Sequence, residues 1–172
     1  MRLNAQTDFS LRIMMFLAAK AGTSATIPEV AAKLGLSRNH TMRIAAKLAA
    51  TGLIASTRGR SGGLALGKEA HSITVEEIVR AIEPDFALVP CLQEPSKQNC
   101  SIEPACLLKG ALSAALSAFF AELRAATLAD LTASNQVSLA VIFRLNDPAH
   151  PIKFRARERS SIKRLAQVGG AR

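Results

Sequence analysis

The sequence predicts a mainly helical chain with one small β-hairpin, on three observations. Apolar residues recur at helical spacing in successive segments punctuated by glycine or proline. Two of those segments open on Thr-x-x-Glu capping boxes, Thr26 to Glu29 and Thr74 to Glu77. One stretch, Leu53 to Gly67, reads instead as two short strands around a turn rich in glycine and arginine.

The first helix is expected over Thr7 to Lys20, where Phe9, Ile13, Phe16 and Leu17 share a face and Gly22 stands at the C′ place. Asp8 falls in its first turn, where the helix dipole favours a carboxylate. Arg12 follows one turn later on the same face. A short second helix starts after Thr26, buries Val30, Ala31 and Leu34, and stops at Gly35. Ser37 caps a third helix whose Thr41, Ile44, Ala45 and Leu48 point inward. Arg38, Asn39, Met42, Arg43 and Lys47 are left on its outer surface.

Two short helices across a tight turn make either a helix-turn-helix or an ordinary helical hairpin with a polar face. The next segment favours the former. Leu53–Thr57 and Leu64–Leu66 flank RGRSGG at 58–63, a basic hairpin directly after the second helix of the pair. Its glycines let the backbone approach a sugar–phosphate chain, and Arg58 and Arg60 can neutralise phosphates or enter a minor groove. The pattern is that of a winged helix-turn-helix, with double-stranded promoter DNA as the expected partner. The expected contact set is Thr26, Ser37, Arg38, Asn39, His40, Arg43, Lys47, Arg58, Gly59, Arg60 and Gly62.

Bulk properties agree. The chain of 172 residues is 49% hydrophobic and carries a net charge of +9, which suits a polyanionic partner, nucleic acid or an anionic membrane surface. The excess is uneven, with seven Lys/Arg against one Glu in residues 152–172. The 4% aromatic content, seven Phe with no Trp or Tyr, argues against a sugar-binding or base-stacking surface built on aromatic platforms. No apolar run approaches the ~20 residues needed to span a bilayer. Asp8 and Arg12 interrupt any leader-like pattern, so a cytoplasmic protein without membrane contact is expected.

A fourth helix opens at Thr74, buries Val75, Ile78, Val79 and Ile82, and ends before Pro84. Then comes PCLQEPSKQNCSIEPACLLK, residues 90–109, holding all three cysteines: Cys91, Cys100 and Cys106. Three thiols on one loop suit a metal or cluster site, a redox switch or coincidence, and the odd number argues against a disulfide framework. A long helix is expected from about Glu103 to Thr132, too long for a small core to cover and hence suited to pairing two copies. Gln136 to Leu145 reads as a strand or as an extended arm across the partner, and the basic remainder as a mostly disordered tail. The expected organisation is a DNA-binding domain at 1–83, a cysteine loop at 84–105, a dimerisation helix at 106–134 and an arm and tail at 135–172. His40, His71 and His150 are not convincing partners for a cysteine nucleophile, so an enzyme is not expected.

TDFSLR, SRNHTMRI, RGRSGGLALG and EPACLLKGAL together resemble the NsrR family of nitric-oxide-sensing iron–sulfur repressors, in the winged-helix superfamily that also holds IscR. The resemblance spans roughly residues 1–135. It implies a homodimeric repressor whose iron–sulfur cluster, 4Fe-4S in first place and 2Fe-2S in second, is held by Cys91, Cys100, Cys106 and Asp8 of the partner subunit. Arg12 would then orient Asp8, and nitric oxide would be the signal that releases the operator. Two features depart from the family: a longer gap between Cys91 and Cys100, and the basic tail after about residue 146. Lys109 stands where IscR-type chains have a cluster-binding His, which favours the NsrR reading. A regulator of iron, cluster or redox status, and a zinc or thiol-switch regulator, are the alternatives.

Overall fold

The computed structural model describes residues 3–20, 22–57, 62–93, 100–133, 139 and 141–143. The expected fold class is found: the chain is mainly helical with one two-stranded antiparallel hairpin. Helix α1 runs Ala5–Ala19 and begins two residues before the predicted start. The cause is Asn4, whose side chain accepts a hydrogen bond from the Thr7 N–H at 3.0 Å. Asn4 also donates to Glu83, from its backbone N–H at 2.7 Å and from its side-chain amide, so the start of α1 is tied to the end of a later helix.

Helix α2, Ile27–Leu34, has the capping box in both directions, Glu29 N–H to Thr26 Oγ1 at 3.3 Å and Thr26 N–H to Glu29 Oε2 at 3.4 Å. Lys20 reaches the same Glu29 at 2.6 Å and joins α1 to α2. Gly35, at φ 66°, makes the left-handed turn into helix α3, Arg38–Ala50. Ser37 Oγ caps α3 by accepting from the His40 N–H at 3.2 Å. Thr41, Ile44, Ala45 and Leu48 are buried, as the spacing predicts.

Strands β1, Ile54–Ser56, and β2, Leu64–Leu66, pair with Ile54 opposite Leu66 and Ser56 opposite Leu64. Ala25 bridges to Leu64, which fastens the hairpin to the segment before α2. At the hairpin base only glycine fits position 67, because a Cβ there would stand 2.1 Å from the Gly52 carbonyl oxygen. Helix α4, Val75–Ile82, opens on the second capping box and buries Val75, Ile78, Val79 and Ile82.

The predicted long helix is two helices. Helix α5 spans Leu107–Ala125 and α6 spans Leu128–Ala133. At Ala126 the backbone turns extended, φ −94° and ψ 120°. There the chain exchanges backbone bonds with the segment before α4, Val75 N–H to Ala126 O at 2.9 Å and Leu128 N–H to Ile73 O at 2.8 Å. Thr127 and Asp130 cap α6 reciprocally, with Asp130 N–H to Thr127 Oγ1 at 3.1 Å and Thr127 N–H to Asp130 Oδ2 at 3.0 Å. This Thr-x-x-Asp start lay unread inside the apolar periodicity. As a result Leu128 is fully buried in the core beside α1 instead of continuing outward.

The run at 136–145 was expected as a strand or an arm across a partner. Its described residues are not a strand: 139, 141 and 142 are helical, and buried Phe143 meets Phe16 of its own chain edge-on at 5.4 Å. The tail expected after it lies outside the described residues. Ile13, Met14, Phe16, Ile44, Leu48, Ile73, Ile78 and Leu128 form the centre of one core. Phe16→Ala removes the largest fully buried side chain in it, and a loss of about 3–5 kcal/mol of stability is expected by chemical denaturation.

Candidate nucleic-acid interface and cysteine loop

The capping of α3 and the burial of Thr41, Ile44, Ala45 and Leu48 decide which side chains remain outside. Arg38, Asn39, Met42, Arg43 and Lys47 are all exposed, three of them basic. No carboxylate pairs with Arg38, Arg43 or Lys47 among the described residues, so their charge is available to phosphates. Thr26 and Ser37 spend their side chains on caps. His40 is turned inward: its ring meets Phe9 edge-on at 5.2 Å, and its buried Nε2 has no hydrogen-bond partner among the described residues.

Beside this surface lies a cavity of about 310 Å³ lined by Gln6, Ser37, Asn39, His40 and Arg43. Gln6 comes from α1 and accepts a hydrogen bond from Lys47 Nζ at 2.9 Å. Sequence reasoning missed Gln6, because it precedes the predicted helix start and belongs to no motif. Of the wing, Gly62 and Gly63 are described, and the Gly63 N–H bonds to Thr57 Oγ1 at 3.2 Å. Arg58, Gly59 and Arg60 lie outside the described residues.

Behind the reading helix, Asp8 and Arg12 form an exposed ion pair at 2.8 Å on α1, as their spacing predicts. The cysteines sit around the start of α5. Cys91 lies in a short turn, Pro90–Leu92, and the Cys100 carbonyl accepts from the Glu103 N–H at 3.1 Å. Cys106 is the residue on which α5 begins. All three are free thiols and partly exposed. Lys109 lies in the neighbourhood of Cys91 and Cys106. Its ammonium is held above its usual range chiefly by the Glu103 carboxylate, which accepts its hydrogen bond at 2.6 Å. Among the described residues no three His, Cys, Asp or Glu side chains already converge on a point able to hold a metal ion. Residues 94–99, between Cys91 and Cys100, lie outside the described set.

A second feature missed in sequence joins these parts. Glu76, nearly buried at the start of α4, accepts two hydrogen bonds from Arg124 of α5, at 2.6 and 3.0 Å, and one from Arg80 at 2.8 Å. The Arg80 guanidinium lies 3.6 Å from the centre of the Phe120 ring. Phe86, on the way to Cys91, meets Phe120 edge-on at 4.8 Å. Glu76 and Arg80 stand four apart on α4, but nothing local in the sequence announces Arg124.

A helix-turn-helix whose basic outer face is followed by a β-hairpin defines a winged-helix DNA-binding regulator. The match to known proteins makes that specific: residues 3–134 fit the family model described as "Rrf2: Iron-dependent Transcriptional regulator", and the chain belongs to the Rrf2 family. Its members are DNA-binding transcription regulators, not enzymes. The structure of CymR, the global cysteine regulator of B. subtilis, is similar at 25% identity and TM-score 0.61, over 78% of this chain and 98% of that one. The oxidized form of Staphylococcus aureus CymR matches at 25% identity and TM-score 0.59, over 76% and 95%. T. potens IscR shares the fold at 21% identity and TM-score 0.60, over 90% and 94%. No described helix is long and apolar enough to cross a membrane.

The Glu76 carboxyl is lowered from 4.5 to about 2, chiefly by the hydrogen bonds from Arg124 and then Arg80. Its contribution to stability is therefore full above about pH 4.5 and is lost as pH falls toward about 2. Thermal melts of Glu76→Gln should show lower stability than wild type near neutrality, a difference that shrinks steadily through that acid window.

Proposed function

We propose that this chain is a homodimeric transcriptional repressor that binds promoter DNA in the cytoplasm and responds to nitric oxide through an iron–sulfur cluster. The observation that carries the reading is the position of the thiols. All the cysteines lie on the one segment between the Glu76–Arg80–Phe120 junction and the free end of α5. The family's iron-dependent description agrees with it, as does the resemblance of the TDFSLR, wing and EPACLLKGAL segments.

The donor set suits such a cluster: three soft thiolates, with a carboxylate as the harder fourth donor. Cys91, Cys100 and Cys106 would hold it with Asp8 of the partner subunit. A bound cluster supplies thiolate-held iron that reacts with small diffusible ligands such as nitric oxide. The protein's own residues do the rest. Arg12 holds the Asp8 carboxylate in one orientation. Lys109 and the dipole at the start of α5 place positive charge beside the thiolates. Asp8 ties the loop to α1 of the other reading domain, so loss of that tie frees the recognition helices from half-site spacing.

Pairing of two copies rests on α5. Phe120 is its only buried residue, while Leu107 and Leu108 are 89% and 60% exposed. Leu108→Glu is expected to shift the protein toward monomer in sedimentation velocity and to weaken operator binding at least tenfold, since a lone reading domain loses the paired half-site.

A thiol-switch reading is supported by the free cysteines and by the CymR likeness. Protein purified without oxygen separates the two. The cluster reading predicts brown protein with iron and sulfide, and release of bound operator at a few equivalents of nitric oxide. Cys100→Ala and Asp8→Ala should lose or weaken the chromophore while the far-ultraviolet circular dichroism stays unchanged. Colourless wild-type protein free of iron would sink the cluster and leave the thiol switch.

A further inference from the structure

We propose that Gln6 is a positioning residue for DNA binding: it fixes Lys47 against the duplex and completes a cavity that receives a backbone phosphate. The proposal rests on the DNA-binding reading and adds to it a residue from α1, outside the helix-turn-helix and the wing.

Two observations carry it. Lys47 Nζ donates to Gln6 Oε1 at 2.9 Å, a contact across 41 positions of sequence. Gln6 also lines the cavity of about 310 Å³ together with Ser37, Asn39, His40 and Arg43. That lining has amide and hydroxyl groups, an imidazole and one guanidinium, and it has no carboxylate. This is the chemistry of a site for a phosphate diester, in which Arg43 supplies charge and the amides supply neutral donors.

The identity of the residue at position 6 matters. A carboxylate there would pair with Lys47 and cancel its charge. A neutral amide holds the ammonium through one N–H and leaves two N–H donors and the full charge for phosphate oxygens. The long Lys47 side chain is thus partly ordered before DNA arrives, so less rotamer freedom is lost on docking. Gln6 also stands two residues before Asp8 in the same turn of α1. The residue that serves the reading helix and the one proposed to serve the cysteine loop therefore move together.

The test uses the full-length protein and a duplex that the wild type selects from a random-sequence library. Dissociation constants are measured over a series of salt concentrations for wild type, Gln6→Leu, Lys47→Met and the double variant. Gln6→Leu should weaken binding about tenfold, the worth of one hydrogen bond to a charged group. It should also reduce the salt slope by about one phosphate. On the Lys47→Met background the Gln6→Leu loss should largely vanish. Gln6→Glu, which keeps an acceptor for Lys47 but adds negative charge beside Arg43, should bind more weakly than Gln6→Leu. Wild-type affinity and slope in Gln6→Leu would overturn the proposal. So would an undiminished loss on the Lys47→Met background, or a loss accompanied by a matching fall in melting temperature. A wild type that enriches no duplex would overturn the DNA-binding reading, and this proposal with it.

Discussion

A carboxylate removed from water dominates the architecture. Glu76 is nearly buried, and a charge in that position is tolerable only because two guanidiniums satisfy it. One comes from its own helix and the other from α5, so the same side chain that needs neutralising also locates the α5 helix. Arg80 is in turn sandwiched toward Phe120, and Phe120 against Phe86. The direction in which α5 leaves the reading domain, and the path of the chain toward Cys91, both follow from this junction.

The backbone exchange around Ala126 works with it. Residues 126–128 pair with 73–75, and α6 then returns to the core. The C-terminal end of α5 is therefore held on the reading domain by an ion pair and by backbone bonds. Its other end, where Cys106 and Lys109 lie, carries the exposed Leu107 and Leu108. A helix held at one end and open at the other suits a part that pairs two copies and carries a sensing loop. The Rrf2 family assignment places that geometry in a transcription regulator.

Local chemistry made much of this legible. The capping boxes at Thr26 and Thr74, the glycine turn at Gly35 and the inward set Thr41, Ile44, Ala45 and Leu48 are short-range or periodic, and the structure has all of them. The exposed face of α3 followed by subtraction. What failed was reading across a competing signal: apolar spacing continued through Ala126, and the cap formed by Thr127 and Asp130 was hidden within it. Phe143 was misplaced for a related reason, since a short apolar run does not say which surface it will cover.

The sequence by itself determined the winged-helix class, the basic reading face and the isolation of three thiols on one loop. These depend on residue type, on spacing and on turns closed within a few residues. Only the tertiary structure decided that Arg124 meets Glu76, that Gln6 meets Lys47, and that Cys91 comes into the neighbourhood of Lys109. Such pairings join residues far apart in the chain. Their partners are selected by how α1, α3, α4 and α5 pack, and no local propensity records that choice.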